Sequence, residues 1–555
     1  MNKKILAGIT ALCLTAALFT GCSNKTTQTT NDTTTITDTT TDKTTTVTTS
    51  NDSPTNSTLS DGDYKDMTDE TYSAEITLEG DTGTISDTTR GSSGSTVTIN
   101  SKGIYHITGE SDGVTIQVND TKESGNIYLI FDNVTMTNTT ACVDVEAADK
   151  VIIQCVGDTT LTSTATEDGA VYAKDDLTIN GSGTLTVVSN NHGIECSDDL
   201  AITGGTVTVT ADSAGIKAHD SISIDGAEIN VTSGKDGIKI DSDEGTGYVH
   251  IVSGTVTIDA QGDGIDAGSD VAEVYTGYVN LEGGTLNITA GGGSDNSTGE
   301  SSQKGVKSAG DIFIGDVELN ISSADDAVSA DGNINVTGGV STLSTSDDGV
   351  TADGDLTVSG GEISITKSYE ALEAANITIS GGAVSAVSSD DGVNGESMVT
   401  VSGGSLYVNS GGDGIDCNGS IYITGGTVIV EGPQNSGNGA LDKGDSPECV
   451  LSITGGTVLA TGSAGMAVNF DSGSQCSALV TLSIKSGDTI TTSDGFTYTA
   501  TKDAECAVYS GPNLTEGETY TITSGNATAT MDFTSGLYYS DVNGMMMGRG
   551  TPMGR

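Results

Sequence analysis

Asp326-Ala327-Val328-Ser329-Ala330-Asp331-Gly332, Asp348-Gly349-Val350-Thr351-Ala352-Asp353-Gly354, Glu370-Ala371-Leu372-Glu373-Ala374, Asp391-Gly392-Val393-Asn394-Gly395 and Asp413-Gly414-Ile415-Asp416-Cys417 follow one another down the chain. Their Gly/Ala positions (327, 349, 371, 392 and 414) lie 22, 22, 21 and 22 residues apart. A unit that returns this regularly stacks on its neighbours, so that like residues form ladders.

Within one unit, Val350 and Ala352 alternate with Thr351, and Leu356 and Val358 with Thr357. After the Gly360-Gly361 turn, Ile363 and Ile365 alternate with Ser364. These are three period-2 strands separated by Gly/Asp turns. Paired glycines recur at Gly204-Gly205, Gly338-Gly339, Gly381-Gly382, Gly403-Gly404, Gly425-Gly426 and Gly455-Gly456. The prediction is an all-β chain wound as a parallel β-helix, with three short strands in each coil of about 22 residues and about 4.8 Å between coils.

The first strand fixes the register. The residue after the Gly/Ala is Val171, Ile194, Ile216, Ile238, Ile265, Val306, Val328, Val350, Leu372, Val393, Ile415 and Leu441, an aliphatic ladder that must face inward. Two residues on, a mostly small inward slot holds Cys196 and Cys417, which reads them as core thiols. Cys142, Cys155, Cys449, Cys476 and Cys506 lack metal-ligand spacing; an exported chain can pair some of them. The four histidines do not cluster in sequence.

With 21 basic and 76 acidic residues the formal charge is −55, which repels nucleic acid and attracts cations. Lys3 and Lys4, an apolar run from Ile5 to Phe19, and Leu18-Phe19-Thr20-Gly21-Cys22 form an export signal ending in a lipobox-like cysteine. The expected division is a lipoprotein signal peptide at 1–21, a lipidated Cys22 with a disordered Thr/Ser-rich tether at 22–72, and an N-terminal cap with the first coils at 73–170. Regular coils with an acidic ladder follow at 171–475, then a C-terminal β cap at 476–543 and a flexible tail at 544–555. The expected location is the outside of a bacterial membrane, with the protein monomeric and held by the lipid on Cys22.

Just before the Gly/Ala stand Asp236, Asp263, Asp326, Asp348, Glu370, Asp391 and Asp413, with Asp266 and Asp416 on the outward face. Carboxylates stacked about 4.8 Å apart repel one another and raise one another's pKa. Ca²⁺, with oxygen ligands at about 2.3–2.6 Å, relieves this, whereas zinc and copper prefer sulfur or imidazole. Asp236, Asp263, Asp266, Asp326, Asp348, Asp391, Asp413 and Asp416 are therefore the candidate metal ligands, with Asp263/Asp266 and Asp413/Asp416 the best pairs. The bland alternative is that Asp-Gly is a common turn pair. Lys217, Lys239, Lys304 and Lys307 interrupt the ladder and are candidates to neutralise acids, contact an anionic ligand or act as a base.

Gly103-Ile104-Tyr105-His106-Ile107-Thr108-Gly109, Asp112 to Ile116, Ala148 to Ile153, Gly264-Ile265-Asp266-Ala267, Gly291 to Ser294 and Lys304-Gly305-Val306-Lys307-Ser308 together resemble the clostridial-type surface β-helix carbohydrate-binding proteins. The resemblance runs over about residues 73 to 525. It implies a right-handed parallel β-helix, bound calcium and binding of plant polysaccharides such as polygalacturonate and cellulose. The fold it implies is similar to that of calcium-dependent polysaccharide lyases. Ala214 and Lys304 stand where other coils carry an acid, which puts metal sites at those coils in doubt.

Three readings of function follow. The first is a non-catalytic surface protein that binds polyuronate through calcium. Tyr248 and Tyr278, in repeated Thr-Gly-Tyr turns, are candidates for contact with neutral glucan. The second is a calcium-dependent lyase with Lys239 or Lys307 as base. The third is a structural adhesin or stalk.

Overall fold

The computed structural model describes residues 59–121, 125–242, 246–268, 277–297 and 301–541. These residues form an all-β solenoid of about 16 turns with mostly parallel strands. A 3-10 turn at Asp61–Tyr64 is the one helical element among the described residues. The signal peptide, Cys22, the proposed tether up to residue 58 and the tail from Gly544 lie outside the described residues; residues 59–72, expected as the end of a disordered tether, are instead ordered and carry that 3-10 turn.

One coil shows how the sequence builds the solenoid. Ile216–Ala218 runs in a first sheet, Ser221–Ile224 in a second and Ala227–Ser233 in a third. Each strand pairs in parallel with its counterpart one coil on: Ile216 with Ile238, Ile222 with Val249, Ile229 with Val256. Period-2 alternation sends Ile216, Ala218, Ile222, Ile224, Ile229 and Val231 inward, and all are buried in one continuous core. The aliphatic ladder from Val171 to Ile415 is buried throughout. Leu441 joins it by an isolated bridge to Ile415.

The turns close tightly. In the Gly-Gly turns the second glycine takes positive φ, as at Gly205 (76°) and Gly382 (72°), which side chains resist. A Cβ on Gly237 would lie 2.4 Å from Ile258 Cγ2, so the corner between the third and first sheets is packed shut.

The three-strand coil holds up to Val340–Thr345. In Val350–Val358, Leu372–Ile379 and Val393–Val401 the first and second strands run on as one. The Asp355 N–H donates to Asn333 Oδ1 at 2.9 Å and the Gly354 N–H to the Gly332 carbonyl at 2.9 Å, so pairing continues through the corner.

Both ends of the stack are covered, which protects its edges. Ala74–Gly80 pairs antiparallel with Thr82–Ile85 at one end. At the other, Ala504–Ser510 runs antiparallel to Thr457–Gly462 and ends the parallel ladder. A separate four-stranded antiparallel sheet packs Ile490, Ile522 and Met531, with Phe533, into a second core that also takes Ile429 and Leu459 from the solenoid strands. All seven cysteines among the described residues are free, and Cys449 alone of them is not buried. The pairing an exported chain permits is not used there.

A candidate cation-bearing turn along the solenoid

The acidic ladder lies at the corner between the third and first sheets, and its first job is to staple coils together. The Asp263 N–H donates to Asp236 Oδ1 at 3.0 Å, and the Lys304 N–H to Asp263 Oδ1 at 2.7 Å. The Asp348 N–H donates to Asp326 Oδ1 at 3.1 Å, the Glu370 N–H to Asp348 Oδ1 at 2.9 Å, and the Asp413 N–H to Asp391 Oδ1 at 2.6 Å. The Gly439 N–H reaches Asp413 in the same way. Each acid thus caps a backbone donor one coil ahead that the tight turn leaves unpaired. Sequence reasoning missed this role; its only trace there is the strict placement of the acids before the Gly/Ala.

One carboxylate oxygen is used in each staple, and the fate of the other divides the ladder. In the earlier half lysines fill the space. Lys239 Nζ lies 3.1 Å from Asp236 and 2.9 Å from Asp266. Lys307 Nζ lies 3.6 Å from Asp263 and 3.5 Å from Asp266. Lys304 pairs with Asp325, at 3.4 Å, and with Asp326. Lys217 turns away from the ladder to Asp241, 3.0 Å off, and Glu195. Burial pulls the Lys239, Lys304 and Lys307 ammonium groups down, but the neighbouring aspartates outweigh it and hold all three above the ordinary lysine value.

In the later half no described lysine pairs with Asp348, Glu370, Asp391, Asp413 or Asp416. Burial first, and then the negative charge of their neighbours, pushes Asp348 and Glu370 up to about 7 and Asp413 and Asp416 up to about 6. Asp391 rises for the same reasons. Each of these groups gives up its proton less readily than a free carboxyl.

Three carboxylate triads bring ligand oxygens within 4.8 Å of one another. Asp236, Asp263 and Asp266 unite three predicted residues, including the pair Asp263/Asp266. Asp326 is joined by Asp325 and Asp347, the doubled acids of neighbouring coils. Asp348, Asp391, Asp413 and Asp416 enter no such triad among the described residues. The third triad, Asp176, Asp198 and Asp199, lies at a different corner, between the first and second sheets, and was not anticipated. The recurring doublets Asp175-Asp176 and Asp198-Asp199, 23 residues apart, were the available signal.

Tyr248 and Tyr278 sit at the start of the second sheet, away from the ladder. Their rings stack on each other at 4.8 Å and 1°, so each covers one face of the other. Tyr248 borders an open cleft with Asp198, Asp199 and Asp220. The segment after Gly291 returns to the ladder, where Ser302 Oγ donates to Asp263 Oδ1 at 2.7 Å. The histidines stay dispersed: His106 contacts Glu75 and Asp132, His219 contacts Asp220, and His250 is buried.

The fold is a parallel β-helix with an acid-lined turn. A family model described as carbohydrate-binding domain-containing protein matches residues 93–349 and 376–532. The chain belongs to that family. A carbohydrate-binding domain-containing protein of Acetivibrio thermocellus is 35% identical over 122 residues, which make up 20% of this chain and 42% of that relative. The chain therefore spans less than half of the length of that curated relative. A solved polysaccharide lyase-like protein from C. thermocellum, a gadolinium derivative, is similar at 27% identity, covering 47% of this chain and 96% of its own, with a TM-score of 0.34.

Proposed function

We propose that the protein binds plant polysaccharide, the acidic polygalacturonate first and neutral cellulose second, on the outside of a bacterial cell, without cleaving it, and that Ca²⁺ mediates the contact with polygalacturonate. The observation that carries this reading is the later half of the ladder: stacked, largely buried carboxylates that no described lysine neutralises, whose pKa values burial and neighbouring charge raise. Their donor set is all oxygen, which fits a hard cation. Asp348, Glu370, Asp391, Asp413 and Asp416 would hold Ca²⁺, with the Asp236/Asp263/Asp266 and Asp325/Asp326/Asp347 triads as further sites. Bound there, the ion supplies the positive charge that lets an acidic protein accept a polyuronate. Tethering of a monomer through lipidated Cys22 is part of the same proposal, and the lipobox-like stretch Leu18 to Cys22 supports the tether.

The lyase alternative needs Lys239 or Lys307 neutral. The flanking aspartates oppose that, because they stabilise the ammonium form. The stalk alternative predicts indifference to glycans. The test is retention of the protein on polygalacturonate in calcium and in chelator, with the ultraviolet absorbance of unsaturated product followed in the same samples. Calcium-dependent retention with flat absorbance supports binding. Rising absorbance abolished by Lys239→Ala or Lys307→Ala makes it an enzyme, and no retention in either buffer favours the stalk.

A further inference from the structure

The stretch just before the solenoid is laid across the outer side of the second sheet as a strap. Asp63 is fully buried there. Its carboxylate accepts from Lys150 Nζ at 2.6 Å and Thr178 Oγ1 at 2.5 Å, and its carbonyl accepts from Asn180 Nδ2 at 2.9 Å and Thr203 Oγ1 at 2.5 Å. The Met67 N–H donates to Gln154 Oε1 at 3.0 Å, and Gln154 Nε2 donates to Asp66 at 2.7 Å. Tyr64 reaches further along the stack, its hydroxyl donating to Asp225 Oδ2 at 2.8 Å.

Between this strap and the coil ends lies a cleft of about 290 Å³. Tyr64 and Thr68 form one wall; Val156, Asn180, Ser182 and Thr203 form the floor and far side. Three features single it out. Tyr64 is 48% exposed although its hydroxyl is anchored, so it offers a rigid ring at little entropic cost. The polar lining is led by Ser182, which is exposed at the cleft's edge, with Thr203 beside it; Asn180 lies buried behind them, its Oδ1 closed to solvent. The charged groups of the lining are one cation, Lys65, and one anion, Asp66, so on this strongly acidic protein the cleft itself is balanced.

We infer that this cleft is a second saccharide site, taking a short stretch of neutral, hydroxyl-rich chain with a pyranose face on Tyr64 and hydroxyls on Ser182 and Thr203. A neutral sugar needs no cation to reach it, and the ring plus hydroxyl rim is the chemistry that recognises one. The inference rests on the carbohydrate reading but not on the acidic turn, which lies at a different corner of the coil. The strap precedes residue 93, where the family match begins, so one wall of the site lies outside the matched residues.

The test is calorimetric titration of the whole protein, in chelator, with the neutral hexasaccharides of β-1,4-glucan, β-1,4-xylan and β-1,4-mannan. At least one should bind, and Tyr64→Ala should weaken it about tenfold, the worth of one stacked ring. Ser182→Arg, which fills the cleft from its exposed edge and leaves the strap's bonds in place, should do the same without lowering the melting temperature. Absence of heat with all three sugars overturns the inference, as does binding unchanged in both variants. Calcium-dependent retention of the same variants on polygalacturonate reports separately on the acidic turn.

Discussion

Asp348 accepts the backbone N–H of Glu370 at 2.9 Å, and that bond ties two coils together at the turn that carries the acids. One residue thus serves fold and charge at once, and substitution separates the two. Asp348→Asn keeps an acceptor and removes the charge; Asp348→Ala removes both. In chelator at pH 8 the Asn variant should be as stable as the parent or more so. The Ala variant should lose about 1–2 kcal/mol, the cost of an unpaired buried donor. Denaturant unfolding distinguishes them, and equal losses in both would show that the staple contributes nothing.

The raised carboxyls set a pH dependence. Asp348 and Glu370 titrate at about 7 and Asp413 and Asp416 at about 6 in the folded protein, above their unfolded values. Between pH 4 and 7, roughly the gap between unfolded and folded values, the folded state holds more protons, so stability falls as pH rises. In chelator the melting temperature should drop by roughly 3–8 °C from pH 5 to pH 8. Calcium should abolish most of that drop. A curve flat in chelator would contradict the assignment.

Lys239 neutralises Asp236 and Asp266 from 3.1 and 2.9 Å. Lys239→Ala should leave the Asp236/Asp263/Asp266 triad short of positive charge. Its melting temperature in chelator should therefore fall, and calcium should raise it by more than it raises the parent's. Thermal scans with and without calcium check this, and an identical calcium response in both proteins would count against the triad as a cation site.

Asp63 holds the strap. Burial alone would push its carboxyl up, but hydrogen bonds from Lys150, Thr178 and Ser60 outweigh it and hold the group below the usual carboxylate range. Asp63→Ala leaves Lys150 half-buried and unpaired, at a cost of about 3 kcal/mol by analogy with other broken pairs. That exceeds what the remaining contacts of a short segment supply, so the strap should detach. Trypsin should then cut after Lys65 at least tenfold faster, a ratio worth about 1.4 kcal/mol, while the coils stay folded. Unchanged cleavage would show that the strap is held elsewhere.

The solenoid was legible because its signals repeat. The ladder from Val171 to Ile415 fixes register coil after coil, and the inward slot correctly buries Cys196 and Cys417. What escaped was whatever depends on one event rather than a period. The strap at Asp61–Tyr64 occurs once and bonds to Thr178 and Asn180, more than a hundred residues away. The partners of the lysines were equally hidden, since Lys217 and Lys239 stand in one row yet turn to different acids. The acids were found as a row, but their staple to the next coil's N–H depends on the turn's backbone, which sequence spacing does not display.

The later half of the ladder, where no described lysine pairs with the acids, should exchange protons for calcium. Proton release on adding calcium at pH 6.5, in weak buffer, measures that exchange directly. The account predicts release that saturates with calcium and shrinks in an Asp348→Asn/Asp413→Asn variant. Calcium binding with no proton release, or release unchanged in that variant, would contradict it.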